Sequence, residues 1–123
     1  MVRYIVNDVD AAIGFYTKIL DFHEVMHPAP EFAILARWNL RLLVSKPGER
    51  GGGGRGTPDG TQQAPGGWNR FVIEVEDIEA ACEKIRESGG RFRNEIVTGI
   101  GGRQIILEDP SGNPIELFQY LRP

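Results

Sequence analysis

The sequence has one cysteine, two histidines and no uninterrupted apolar run long enough to cross a bilayer. A single thiol, Cys82, forms no internal disulfide, which excludes a disulfide-stabilised miniprotein and is typical of a reducing compartment. The net charge of -3 provides no basic field for a phosphate backbone. We therefore expect a cytoplasmic protein, with neither nucleic acid nor a membrane as a partner.

The rest of the composition is that of an ordinary globular protein. Of the 123 residues, 41% are hydrophobic and 25% are charged, which supplies a packed core and excludes global disorder. This length predicts one domain or two fused half-size repeats, because an independent domain normally needs on the order of 100 residues.

Glycine is concentrated in one segment, residues 47–67, which has almost no apolar side chain to bury. Such a composition predicts a flexible connector between two ordered halves. A phosphate-binding loop is the alternative, but no Lys-Ser or Lys-Thr pair follows, and no strand leads directly into a helix there. We therefore divide a single domain, residues 1–123, into a first repeat (1–46), a connector (47–67) and a second repeat (68–123).

The two halves begin in the same way. A β-rich run at residues 2–6 precedes Asp8, a candidate helix N-cap, and a similar run at 71–75 precedes Asp77. The two aspartates are 69 residues apart (77 minus 8), and the apolar residues after each have the i, i+3, i+4, i+7 spacing of a helix face. These residues are Val9, Ala12, Ile13 and Tyr16 in the first half and Ile78, Ala81, Cys82 and Ile85 in the second.

Three strand-like segments follow each helix, bounded by turn residues. They span residues 22–27, 32–38 and 40–46 in the first half, and 92–97, 103–108 and 114–120 in the second. The sequence therefore predicts an α+β protein with the element order βαβββ occurring twice.

Two motifs carry a resemblance to a known family. They are Asp-Val-Asp-Ala-Ala-Ile-Gly-Phe-Tyr-Thr-Lys-Ile-Leu-Asp-Phe at 8–22 and Asp-Pro-Ser-Gly-Asn-Pro-Ile-Glu-Leu at 109–117. With the repeat, they resemble the vicinal oxygen chelate superfamily, which includes glyoxalase I, extradiol dioxygenases, fosfomycin-resistance transferases and bleomycin-resistance binding proteins. The resemblance implies an open, U-shaped mixed sheet around a cleft, with the helices outside. Exposed sheet edges further lead us to expect a homodimer.

The resemblance also implies four positions at which the family's enzymes hold a divalent metal. In this sequence they fall at Met1, Arg70, Glu116 and either Arg41 or Leu43, and only Glu116 can bind a metal. We therefore expect no metal and no other cofactor. Two interpretations of Glu116 stay open, a carboxylate paired with an arginine or a metal ligand. An inward-facing Arg70 needs a partner, for which Glu74 and Glu116 are the candidates.

Several other side chains are candidates for contact with a ligand. Trp38 and Trp68 stand beside turns, where large aromatic rings are either core plugs or stacking plates. His23 and His27, four residues apart on a predicted strand, should share one face, as surface histidines or with His27 contacting the ligand. Cys82 has the spacing of a core residue. The predicted ligand-binding residues are Met1, His27, Trp38, Leu43, Trp68, Arg70, Glu116 and Phe118.

The leading functional hypothesis is a metal-independent binding protein for a small molecule, such as an aromatic natural product or an antibiotic-like compound sequestered in a resistance role. The alternative is an enzyme, either a glyoxalase-like lyase or isomerase or a dioxygenase, in which Glu116 would be the catalytic base. An accessory interaction domain is the third class.

Overall fold

The computed structural model describes residues 1–121 and forms two compact units, Met1–Gly66 and the segment from Gly67 onward. The first unit contains β1 (Val2–Ile5), α1 (Val9–Ile19), β2 (His23–Ala29), β3 (Phe32–Arg37) and β4 (Leu40–Ser45). Its sheet has the order β1-β4-β3-β2, with β1 parallel to β4 and the other pairs antiparallel.

The second unit repeats this order with one strand divided. It contains β5 (Val72–Glu74), α2 (Ile78–Glu87), β6 (Arg91–Phe92), β7 (Val97–Thr98), β8 (Gly102–Glu108) and β9 (Pro114–Tyr120). The sheet order is β5-β9-β8-β6, and β7 also pairs with β8. The fold is thus α+β with two βαβββ modules, as predicted, and each module has its own mixed sheet.

Both helices begin where the sequence predicted. The Asp8 side chain accepts a hydrogen bond from the Ala11 N–H, and the Asp77 side chain accepts one from the Ala80 N–H, each at 3.0 Å. Phe15 is buried on α1, which the predicted stripe had missed. Within residues 1–121, no helix is long and apolar enough to cross a membrane.

Each sheet has one face that contacts its helix and one that does not, here called the helix-free face. In the second unit, the Gln119 Oε1 atom accepts a hydrogen bond from the Ile78 N–H at the start of α2, and Arg103 contacts Glu79 of that helix, both at 2.7 Å. Because side chains alternate along a strand, the residues next to Gln119 and Arg103 along β9 and β8, and every second residue from them, point to the helix-free face. That face includes Glu74, Gln104, Ile106, Glu116 and Phe118.

The first unit can be oriented in the same way. The Arg37 Nε atom donates to the Leu20 carbonyl at the end of α1, which marks the side of the sheet that α1 covers. By register and alternation, the helix-free face of the first sheet carries Arg3, Ile5, Ile34, Arg41, Leu43 and Ser45.

Residues 92–97 do not form the single strand that the sequence predicted. The Asn94 Oδ1 atom accepts a hydrogen bond from the Ile106 N–H at 2.9 Å, so a side chain takes the place of the backbone pairing expected there. Pairing with β8 resumes only at Val97, which leaves two short strands, β6 and β7.

The sequence predicted that His23 and His27 share one face, because side chains alternate regularly along a strand. In β2 this alternation is interrupted. The register between β2 and β3 shifts between Glu24 and Met26, and again between Met26 and Ala29. Each shift interrupts the alternation of side chains. The four-residue spacing therefore does not place the two histidines on one face.

The glycine-rich segment folds back onto the first unit instead of extending from it. We call residues 51–54 the glycine strap. The Ser45 hydroxyl donates to the Gly52 carbonyl at 2.5 Å, and the Gln63 side chain donates to the Gly53 carbonyl at 3.1 Å. Gly54 is buried. A methyl group added at Gly53 would overlap the Arg3 guanidinium, and one at Gly54 would overlap the Lys46 carbonyl.

A tight turn closes the segment beyond the strap. The Asp59 side chain accepts hydrogen bonds from the Thr57 hydroxyl and the Thr61 N–H. These bonds, that from Thr57 foremost, lower the pKa of Asp59 to about 2. The composition had predicted a connector that contacts little, whereas these hydrogen bonds and close packings give it a defined conformation.

Candidate functional site

An ion pair on the helix-free face of the second sheet is the centre of the candidate site. Arg70 lies just before β5, and Glu116 lies on β9, opposite Val72. The Arg70 Nε and Nη2 atoms both donate to Glu116 Oε1, at 2.9 and 2.7 Å. Arg70 Nη1 donates to the Trp68 carbonyl at 3.0 Å. Of the two carboxylates expected as partners of Arg70, Glu116 forms the pair and Glu74 does not.

The pair is largely removed from solvent. The exposed fraction of the Arg70 side chain is 25%, and that of Glu116 is 9%. Replacing either residue alone would leave a partly buried charge without its partner, which is costly. The pair is therefore a partly buried polar element of this face.

Trp68 stands beside the pair with most of its ring exposed. It is 68% exposed, and the Arg93 guanidinium lies 4.7 Å from the ring centroid. This arrangement excludes the core-plug interpretation of Trp68 and leaves one ring face supported by a cation, the geometry of a stacking plate.

Arg93 is held in place by three hydrogen bonds. It donates to the carbonyls of Gly67 and Gly112 and to the Glu108 carboxylate, at 2.7, 2.8 and 2.8 Å. The sequence reasoning missed this residue. The local pattern gives no sign of it, because its partner Gly67 lies 26 residues away.

Phe118 extends the site along β9. It lies two residues beyond Glu116 on the same face, and its ring makes an edge contact with Tyr120 at a centroid distance of 4.8 Å. A hollow of about 190 Å³ lies beside it. The hollow is lined by Val97, Gly99, Gly101, Gly102, Gln104 and Phe118.

The second unit therefore gathers four of the predicted ligand-binding residues, Trp68, Arg70, Glu116 and Phe118. The other four lie in the first unit. Met1 precedes β1 and is 87% exposed, whereas Leu43 on β4 is buried. The His27 Nδ1 atom is 4.0 Å from Glu24 Oε1.

Trp38 occupies the two-residue turn between β3 and β4. It is 85% exposed and has a φ of +53°, a left-handed backbone conformation that is unusual for a bulky residue. The Arg37 guanidinium lies 5.0 Å from its ring centroid. Its exposure excludes a role as a core plug and keeps the stacking-plate interpretation.

The residues present do not fit the metal that the family resemblance implies. Of the mapped positions, only Glu116 offers a donor for a hard or borderline divalent cation, and its carboxylate is bound by Arg70. A guanidinium at this distance would repel a second cation. Within residues 1–121, no three or more His, Cys, Asp and Glu side chains are grouped so as to hold a metal ion.

Cys82 lies on α2, away from this site. It is 1% exposed, and burial raises the pKa of its thiol. Both facts agree with the predicted core role, since a reactive cysteine needs an accessible thiolate.

Comparison with known proteins places the chain among relatives of one kind. The family model described as the glyoxalase/bleomycin resistance protein/dioxygenase superfamily matches residues 1–117. A lactoylglutathione lyase of Haemophilus influenzae is 31% identical over 120 residues, which cover 93% of this chain and 86% of the lyase.

Solved structures share the fold at lower identity. An antibiotic binding protein from a Streptomyces species superposes with a TM-score of 0.70 and 22% identity, covering 98% of this chain and 93% of the other. A fosfomycin resistance protein of Listeria monocytogenes gives a TM-score of 0.72 at 16% identity, covering 98% and 90%. The family-model match over residues 1–117 and the 31% identity to the lyase show that the chain belongs to the glyoxalase/bleomycin resistance protein/dioxygenase superfamily.

Proposed function

We propose that this chain is a metal-independent binding protein for a planar aromatic small molecule, such as an aromatic natural product or an antibiotic, which it sequesters unchanged. The observation that carries the proposal is the ion pair between Arg70 and Glu116. The family resemblance implies that this guanidinium stands at one of the four metal positions, and it binds the one carboxylate among them.

The apolar part of the site supports an aromatic ligand. Trp68 presents an open ring face, and Phe118 borders the hollow of about 190 Å³. A cavity of about 150 Å³ accommodates benzene, so the hollow has room for one ring of a larger ligand. Stacking and burial would provide most of the affinity, and a few polar groups the orientation. The antibiotic binding protein of the same fold is a precedent for such a role.

The test is a titration of the purified protein with a panel of polycyclic aromatic natural products, followed by tryptophan fluorescence. We expect saturable quenching and, after extraction, recovery of the ligand unchanged by mass spectrometry. Trp68→Ala should weaken binding by about 1 to 3 kcal/mol, because an aromatic ring that the ligand covers on binding has that value. Trp38→Ala, in the first unit, tests the other predicted stacking plate in the same assay.

Two outcomes would contradict the proposal. Recovery of a converted product from the wild-type protein, and its loss in Glu116→Gln, would contradict sequestration and favour catalysis. Absence of saturable quenching by every member of the panel would contradict an aromatic ligand.

An enzyme is the second candidate, and the identity to a lactoylglutathione lyase over 93% of the chain is the observation that favours it. The reaction would be of the lyase or isomerase type, or a dioxygenase reaction, with Glu116 as the base. Assays for the making and breaking of lactoylglutathione, with and without added zinc or nickel, separate this candidate from a binding protein.

We also propose a homodimer. Within its own unit, each sheet ends in outer strands, β1 and β2 in the first, and β5 together with the short β6 and β7 in the second. Unpaired backbone groups on outer strands favour an assembly that covers them. A cytoplasmic location and the lack of nucleic-acid and membrane partners stay predictions from the sequence.

A further inference from the structure

We propose that the Arg70–Glu116 pair recognises a neutral group in which a hydrogen-bond acceptor and a donor are bonded to the same carbon, and that the ligand is therefore an aromatic carboxamide. This inference rests on the proposed function, because it names the polar group of the same ligand. It follows from the hydrogen-bonding capacity that the pair leaves unused.

Arg70 retains two donors. A guanidinium has five N–H groups. The Nε–H and one N–H of Nη2 bind Glu116 Oε1, and one N–H of Nη1 binds the Trp68 carbonyl. One N–H therefore remains on each Nη atom. The side chain is 25% exposed, so an incoming ligand can reach it.

Glu116 retains an acceptor. Both hydrogen bonds from Arg70 go to Oε1, which leaves Oε2 without a hydrogen bond from any described residue. Across residues 1–121, no buried side-chain nitrogen or oxygen lacks a partner. Oε2 therefore keeps some contact with solvent, although the side chain as a whole is only 9% exposed.

These groups select against simple ions. A carboxylate ligand would be attracted by Arg70 but repelled by Glu116, and an ammonium ligand would meet the reverse. A neutral group with a carbonyl beside an N–H satisfies both residues at once, and hydrogen bonds to charged partners are the stronger ones. The Trp68 carbonyl binds Arg70, and Phe118 lies two residues beyond Glu116 on the same face, so the group should be attached to a planar ring.

The experiment compares three probes with one ring system, naphthamide, methyl naphthoate and naphthoate. The amide offers an acceptor and a donor, the ester only an acceptor, and the acid a negative charge. Isothermal titration calorimetry should show the amide binding about tenfold more tightly than either of the others, since an extra hydrogen bond to a charged group is worth at least that factor.

Variants assign the preference to the pair. In Glu116→Gln the advantage of the amide over the ester should fall below about threefold, because the charged acceptor is lost. Arg70→Lys should weaken both carbonyl probes to a similar degree, because lysine lacks the planar fork. Glu74→Gln is the matched control. It removes a carboxylate from the same face of the neighbouring strand, one without an ion pair among the described residues, and should leave the ratio unchanged.

The possible failures are distinguishable. Equal affinity for amide and ester in the wild-type protein, or tightest binding of naphthoate, would overturn this inference and leave aromatic binding intact. Lack of saturable binding by all three probes would contradict both proposals. Should Glu116→Gln not fold, the wild-type ratio and the Arg70→Lys result still decide the question.

Discussion

Asp109 shows how one side chain organises the turn that leads to Glu116. It is fully buried, and its Oδ1 atom accepts hydrogen bonds from the N–H groups of Ser111 and Asn113, at 2.8 and 2.9 Å. Its Oδ2 atom accepts another from the Asn113 side chain at 3.0 Å. The Asp-Pro-Ser-Gly-Asn motif is thus a structural device that fixes the start of β9, and Glu116 follows on that strand.

Replacement of Asp109 by alanine should lower the free energy of unfolding by about 2 to 3 kcal/mol, because buried donors would lose their acceptor. Urea denaturation followed by circular dichroism measures this loss. Asp10→Ala, an exposed position in the first turn of α1, serves as the control and should cost less than about 0.5 kcal/mol. A similar small loss for Asp109→Ala would show that the turn holds without its carboxylate.

At the scale of the elements, the sequence predicted what local rules determine. Capping by Asp8 and Asp77 depends on contacts three residues away, and both caps are present. The predicted single strand at 92–97 was wrong because Asn94 binds a backbone group on β8, 12 residues along the chain. No periodicity in the sequence shows that contact.

In the candidate site, too, some contacts could be predicted from the sequence and others could not. The pairing of Arg70 with Glu116 was predictable, because a family motif located Glu116 and the repeat located Arg70. The support of Trp68 by Arg93 was not, because it depends on how the chain at Gly67 meets Arg93, which lies 26 residues later and just beyond β6. The packing of the glycine strap was also not predictable from composition. Composition shows that these residues lack side chains, but it does not show which atoms pack against their backbone.

The strap itself gives a prediction that separates packing from flexibility. Gly54→Ala should lower the free energy of unfolding by about 2 to 3 kcal/mol, because the new methyl group would overlap the Lys46 carbonyl. Gly101→Ala is the control, since nothing lies within 4 Å of its added methyl group. Thermal denaturation compares the two. If both variants melt with the wild-type protein, the segment behaves as the plain linker that its composition indicated.

At the scale of the whole molecule, the donor set predicts the metal content. Purified protein should contain less than about 0.1 equivalent of zinc, nickel, manganese or iron per chain, and a chelator should leave its melting temperature unchanged, because a bound structural metal would contribute many kcal/mol to folding. Plasma mass spectrometry and a chelator melt measure these quantities. A stoichiometric metal lost in Glu116→Gln would reverse the proposed function.

The glycine strap also determines where the chain can be divided in two. A fragment that ends at Lys46 would leave the Ser45 hydroxyl without its acceptor and remove the neighbour that Phe32 has in Gly52. A fragment that ends at Gly66 keeps both, and the break then falls between two glycines beside which an added methyl group meets no atom within 4 Å. Reassembly of separately expressed halves, as in a split reporter, is therefore best designed around the Gly66–Gly67 bond, with the glycine run retained as part of the first half.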